Sequence, residues 1–179
     1  AFDLSLEKYF AKSSYAAIAV FEKQVKTAII TDVIPYDFSK VTNPTAIVPI
    51  SNMGTMTSPT NSKGGNVHGV ELSGALGGDL ISKSLDGFGL QASYSNTSSS
   101  LPGTDSSGKA TTTSLEGLSG DVWGLTAYYD KQGFQVRIAQ RYRSGFSATR
   151  HNAFKYVVDT IRPEKITDFQ IGYEIQSGQ

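Results

Sequence analysis

Cysteine is absent from the 179 residues, so no disulfide can form and no thiolate can hold a metal. Charge is scarce and balanced. Lys and Arg number 16, Asp and Glu 16, together 18% of the chain, against roughly 25% in an average soluble domain. With no net charge there is no global positive field, and nucleic acid drops out as an expected partner. Histidine occurs only at His68 and His151, isolated and without the paired spacing of a zinc site, and no G-x-S-x-G elbow is present. Catalysis by a nucleophile or a metal has no visible support, no cofactor is expected, and the chain does not read as an enzyme. Long hydrophobic runs are missing as well. The longest, residues 15–21, falls far short of the ~20 residues that a membrane-spanning helix needs. The length suits one domain.

Glycine, serine and threonine are abundant, and the apolar residues alternate with polar ones at the period of a β-strand. Seven segments show this. Phe2, Leu4 and Leu6 form the apolar set of the first; the second runs from 15 to about 30, less cleanly, because Ile18 and Val20 oppose Ala17, Ala19 and Phe21. Val70 and Leu72 mark the third, and Phe88, Leu90, Ala92 and Tyr94 the fourth. Trp123, Leu125, Ala127 and Tyr129 mark the fifth, Phe134, Val136, Ile138 and Tyr142 the sixth, and Phe169, Ile171, Tyr173 and Ile175 the seventh.

Every second connection is long. Short links at 11–14 and 130–133 and a moderate one near 78–86 alternate with long loops at about 31–66, 96–118 and 145–165. In an antiparallel meander alternate connections emerge at the same end, which gathers all the long loops on one side. Their composition, rich in Ser, Thr, Asn, Pro and Gly, reads as flexible linker, and three such loops argue against a compact soluble domain.

The segment D-K-Q-G at 130–133 predicts a hairpin. A two-residue loop on Lys131 and Gln132, one register among several, places Tyr129 opposite Phe134 and Trp123 opposite Gln140. One face is then mostly apolar with aromatics at both ends; the other carries Gln135, Arg137, Arg141 and Arg143. From Trp123 to Tyr129 the apolar face spans roughly 20 Å, close to the band of about 25 Å, flanked by aromatic girdles, on a transmembrane β-barrel. A soluble sandwich or lipocalin-like barrel that binds an apolar ligand shows the same alternation, with its apolar face turned inward, and stands as the alternative.

The succession FDLSLEKYF, YAAIAVFEKQVKTAI, GGNVHGVELSGAL, LDGFGLQASYSNTSS, LPGTD, LSGDVWGLTAYYDKQGFQVRIAQRYRS and DFQIGYEI resembles the later barrel strands of TonB-dependent outer-membrane receptors. The most specific stretches are G-V-E-L-S after a Gly-Gly-Asn loop end and the L-T-A-Y-Y-D-K-Q-G-F hairpin with its R-Y-R-S exit. The resemblance implies an all-β, antiparallel up-and-down barrel in a Gram-negative outer membrane, with long loops outside the cell and short turns in the periplasm. It implies outer-membrane lipid, a plug domain, the TonB complex and a small nutrient (a siderophore, cobalamin or an oligosaccharide) as partners, and no nucleic acid. Nothing in the chain matches a plug or a TonB-engaging segment, and the last residues, Ser177, Gly178 and Gln179, are not the aromatic ending of the family. About seven strands stand where such a barrel needs about twenty-two. Residues 1–179 are therefore expected to be a partial barrel domain.

On that resemblance, Arg137, Arg141 and Arg143 face inward with Arg150 and His151 beyond them. These residues, Arg141, Arg143 and Arg150 foremost, are candidates for an anionic ligand or phosphate, or else the arginines pair with carboxylates such as Asp3, Glu7, Glu71 or Glu174, or with the plug. Tyr36, Phe38, Phe154 and Tyr156 are loop candidates for stacking on a sugar ring or chelator, or else pack loop against loop. Trp123, Tyr129, Phe134, Tyr142 and Tyr173 are expected to be membrane-interface anchors. Gly103, Gly108 and Lys109 match the start of a phosphate-binding loop, G-x-x-x-x-G-K. Ala110 supplies no hydroxyl for magnesium and the residues after it make a poor helix, so the match is chance.

Overall fold

The computed structural model describes residues 1–42, 47–61, 63–104, 109–151 and 156–175. In chain order the strands are β1 (Phe2–Ala11), β2 (Ser14–Val25), β3 (Ile29–Asp37), β4 (Met53–Asn61), β5 (Gly65–Gly77), β6 (Phe88–Thr104), β7 (Ala110–Thr113), β8 (Asp121–Lys131), β9 (Phe134–Arg143), β10 (Phe146–His151), β11 (Tyr156–Ile161) and β12 (Glu164–Tyr173). Seven of them lie side by side in the order β1-β2-β5-β6-β8-β9-β12, each antiparallel to the next. This is an up-and-down meander. Among the described residues β1 and β12 are its edges, and closure into a barrel is not seen.

The second segment is two strands rather than one. β2 ends at Val25, residues 26–28 carry no strand, and β3 leaves the main sheet to pair with β4. Ile18 and Val20 stand on the apolar face beside Leu72 and Val70, whereas Ala17 and Ala19 join the polar face, where a methyl group is accommodated beside Ser73 and Glu71. The three long loops are not linkers. One carries the β3–β4 hairpin, one the β7 strand on the outer end of β6, and one the β10–β11 hairpin. Their Ser and Thr are β-branched or small residues that pair across strands as readily as they fill loops. All three emerge at one end of the sheet.

The opposite end is closed by short turns. Residues 12 and 13 link β1 to β2, and Ser14, almost wholly buried, accepts the Gly77 N–H on its Oγ at 2.9 Å, tying that turn to the end of β5. Two 3-10 turns, Gly78–Leu80 and Lys83–Leu85, cross from β5 to β6, where Lys131 and Asp86 form an ion pair at 2.9 Å. The β8–β9 turn sits one position further along than the spacing suggests. Lys131 pairs with Phe134, and Gln132 and Gly133 form the two-residue loop. Both have positive φ, +53° and +80°, as a type I′ turn requires, and glycine at the second position removes the Cβ penalty there. The pairing is thereby displaced by two residues, Trp123 facing Tyr142 rather than Gln140. A shift of two leaves every side chain on its expected face.

The burial record separates this sheet from a compact domain. Leu101 and Ala139 are the only buried apolar residues described. The accessible surface is 13478 Å², against roughly 8,400 Å² for a compact monomer of this mass. A soluble sandwich folds one apolar face onto another; here the apolar face is left open.

Candidate functional site: two faces and a loop end

Cross-strand pairing turns the alternation of single strands into rows that cross the sheet. One row of the apolar face runs Leu6, Ile18, Leu72, Tyr94, Trp123, Tyr142 and ends on Lys165 of β12. The rings of Trp123 and Tyr142 stack at 5.6 Å and 23°, and Lys165 Nζ lies 5.7 Å from the Trp123 ring centre. Nearer the short turns a second aromatic group forms, with Phe88 and Tyr129 at 4.7 Å, Tyr129 and Phe134 at 6.2 Å, and Tyr173 facing Phe134 across β9 and β12. All five expected anchor residues thus share one face, in two bands. Between the bands stand Ala92, Leu125, Leu90, Ala127, Ile138 and Phe169. Gln140 and Thr167 are polar, and Gln140 donates through Nε2 to Thr167 Oγ1 at 3.0 Å; Lys8 of β1 stands at the far end of the same row. Such pairing matters on a face in contact with hydrocarbon, where an unpaired amide costs several kcal/mol.

Above the Trp123 row, at the loop end, Asp121 accepts from both Tyr94 Oη and Asn96 Nδ2 at 2.8 Å on one carboxylate oxygen. Sequence reasoning missed this cluster, although Asn96 and Asp121 continue the period of their strands.

The opposite face is polar. Arg137, Arg141 and Arg143 project there from β9, as their alternation with Val136, Ile138 and Tyr142 requires. Arg141 pairs with Asp168 of β12 at 3.2 Å. Arg143 donates from Nε to Ser119 Oγ at 3.1 Å and from Nη2 to the Gly117 carbonyl at 3.4 Å, and its guanidinium lies 4.2 Å from the centre of the Phe146 ring. Arg150 is on the β10–β11 hairpin, where its Nε donates to Asp159; that carboxylate, by hydrogen bond and charge, raises the guanidinium's pKa above its ordinary value. None of these partners is Asp3, Glu7, Glu71 or Glu174. Asp168 stands diagonally across from Arg141 on the adjacent strand, within reach of a long side chain. Asp3, Glu7 and Glu71 belong to β1 and β5, at least three strands from β9, or about 14 Å.

Gly89 and Tyr128 form a further polar-face feature. They pair across β6 and β8, and the Tyr128 ring occupies the space above Gly89, 2.1 Å from where a Cβ would stand.

Among the loop candidates, Tyr36 is the penultimate residue of β3, opposite Gly54, and Phe38 begins a 3-10 turn, Phe38–Lys40. Their rings meet edge to face at 4.8 Å, and the Phe38 ring lies against Gly54. Each keeps over a third of its surface exposed. Phe154 lies outside the described residues, as do the side chains of Tyr156 and His151 and the middle of the 103–109 segment. The structure therefore brings Tyr36 to Phe38 and engages Arg141, Arg143 and Arg150 separately. No hydrogen bond, ion pair or ring contact among the described residues joins the aromatic pair to the arginines.

A family model described as TonB dependent receptor-like, beta-barrel, matches residues 1–178. No curated protein and no solved structure gave a match.

Proposed function

The chain belongs to the TonB-dependent receptor β-barrel family, and from that premise we propose that its three hairpin loops help capture a scarce nutrient for energised import. It is part of a receptor barrel of the Gram-negative outer membrane, in a transport family that is not enzymatic. The apolar face meets lipid and the polar face lines the lumen, the arrangement that lets a strand sheet cross a bilayer with no unpaired groups in hydrocarbon. Trp123, Tyr129, Phe134, Tyr142 and Tyr173 are the interface anchors in this reading, and Tyr36 and Phe38, with Arg143 and Arg150 beyond the rim, face the nutrient. Phe154, Tyr156 and Arg141 complete the proposed contacts. A siderophore, cobalamin or an oligosaccharide is the nutrient, a plug inside the barrel gates it, and the TonB complex supplies the energy.

The observation that carries this reading is the asymmetry of the sheet: three hairpin-bearing loops at one end and only short turns at the other. The test is uptake by cells whose receptor carries Tyr36→Ala and Phe38→Ala together, with ferric siderophore, cobalamin and oligosaccharide supplied in turn. Uptake of one of them is expected to require TonB and to fall at least tenfold in the double variant. Uptake that is unaffected for all three would remove the loop pair from the capture site.

A further inference from the structure

The connection from β5 to β6 is the longest at the short-turn end, and it displays aliphatic side chains beyond the last strand residues. Leu80, Ile81 and Leu85, three within six positions, are 48%, 66% and 37% exposed. Single exposed aliphatics are ordinary, whereas a group of them marks a surface that something covers. A built backbone holds these three out. The N–H groups of Ile81 and Ser82 both donate to the Gly78 carbonyl at 3.0 Å, that of Leu85 donates to the Ser82 carbonyl at 2.9 Å, and that of Ser84 to Ser82 Oγ at 3.3 Å. Where the connection ends, the Gly87 carbonyl accepts the Asp130 N–H at 2.8 Å, which fastens it to β8.

The connection borders the apolar face and not the polar one. It leaves and rejoins the sheet beside Leu76 and Leu90, which face each other on the apolar side, and runs into Phe88, whose ring meets Tyr129. Asp86 pairs with Lys131, a residue on the same side as Tyr129 and opposite Phe134. A Cβ at Gly87 would stand 2.9 Å from the Lys131 Cβ and 3.1 Å from Cε2 of the Tyr129 ring. Residues 86 and 87 therefore pass along the aromatic group at this end, and the surface that meets hydrocarbon continues into the connection. Polar residues are interleaved with the aliphatics: Ser82, Ser84 and Lys83, the last with no ion pair among the described residues. Aliphatic side chains mixed with hydroxyls and a long-stemmed cation suit the headgroup layer, where an apolar body is covered by acyl chain and an ammonium meets phosphate.

We infer that the β5–β6 connection is a membrane anchor, with Leu80, Ile81 and Leu85 seated in the headgroup layer of the bilayer at the short-turn end and Lys83 beside lipid phosphate. The inference rests on the assignment of the apolar face to lipid. It does not depend on the loops' role in capture, so its test requires no uptake.

The test uses the receptor that carries this chain, with any cysteine outside residues 1–179 replaced by serine, and a nitroxide attached through Ile81→Cys, Ile171→Cys or Gln132→Cys in turn. Each variant is reconstituted in vesicles of phosphatidylethanolamine and phosphatidylglycerol and shown to be folded by its heat-dependent electrophoretic mobility. Depth is read as the ratio of nitroxide collisions with oxygen, which dissolves in lipid, to collisions with a water-soluble nickel chelate. Position 171 reports the apolar face, and position 132 the exposed β8–β9 turn. The ratio at position 81 is expected to exceed that at 132 at least threefold. A smaller excess overturns the inference, and so does a nitroxide at 81 shielded from both reagents, which would mean a protein partner. If position 171 shows no excess over 132 either, the assignment of the apolar face to lipid has failed, and the anchor with it. Should Ile81→Cys fail to fold, Leu80→Cys takes its place under the same threefold criterion.

Discussion

Trp123 and Tyr142 face each other directly across β8 and β9, their rings stacked 5.6 Å apart on the apolar side of the sheet. Tyr94 flanks the pair on β6 and Lys165 on β12, so one row of the sheet holds three aromatics and a cation at the loop end. Amphipathic rings and a long-stemmed lysine are suited to the boundary between hydrocarbon and headgroups. In the parent receptor, Trp123→Ala is expected to lower the unfolding free energy by about 1 kcal/mol or more through loss of the ring pair. Urea titration in lipid vesicles measures this. Lipids brominated near the headgroup are expected to quench Trp123 emission more than lipids brominated at the chain end; the reverse order would remove Trp123 from the interface.

The β8–β9 turn makes a second prediction. Gly133 holds φ at +80°, and a Cβ there would also come within 3.1 Å of the Glu174 carbonyl oxygen. Gly133→Ala is expected to destabilise by about 1–2 kcal/mol, the penalty of the left-handed region for an L-residue. Gln132→Asn, which tolerates positive φ better, is expected to raise stability. Equal midpoints in denaturant for all three proteins would contradict this account.

How the faces and the register differ in legibility is clear at this same hairpin. The face of each side chain follows from period-two alternation, which survives a slip of two residues, so the polarity of both faces could be read from residues 121–143. The register follows from backbone dihedrals at two residues, and D-K-Q-G offers more than one loop until Gln132 and Gly133 are seen at positive φ. Arginine partners were less legible still. Asp168 meets Arg141 only because β12 and not β10 pairs with β9, a choice made by the hairpin inserted between them. That hairpin was itself hidden, since its second strand, Y-V-V-D-T-I, breaks the strict alternation of apolar and polar residues.

Gln140 and Thr167 supply a third prediction. Their hydrogen bond neutralises two polar groups in the middle of the apolar face. Thr167→Val is expected to destabilise the inserted receptor by about 1–3 kcal/mol, because the Gln140 amide is left unsatisfied. The double variant Gln140→Leu and Thr167→Val is expected to recover wild-type stability or exceed it. A double-mutant cycle with no coupling would show the two side chains to be independent.

Gly89 and Tyr128 give the fourth. A side chain at position 89 collides with the Tyr128 ring, and Gly89→Val is expected to displace that ring. The fraction of receptor with the folded, heat-modifiable mobility is expected to fall in Gly89→Val and to recover in Gly89→Val combined with Tyr128→Ala. If the second substitution gives no recovery, backbone rather than ring contact sets the requirement for glycine.

The open apolar face makes the bilayer a reactant in folding. A sheet with roughly 5,000 Å² more surface than a compact monomer of its mass has no stable resting place in an aqueous compartment. Pairing of strands and transfer into lipid must therefore advance together, each step lowering the free energy of the other.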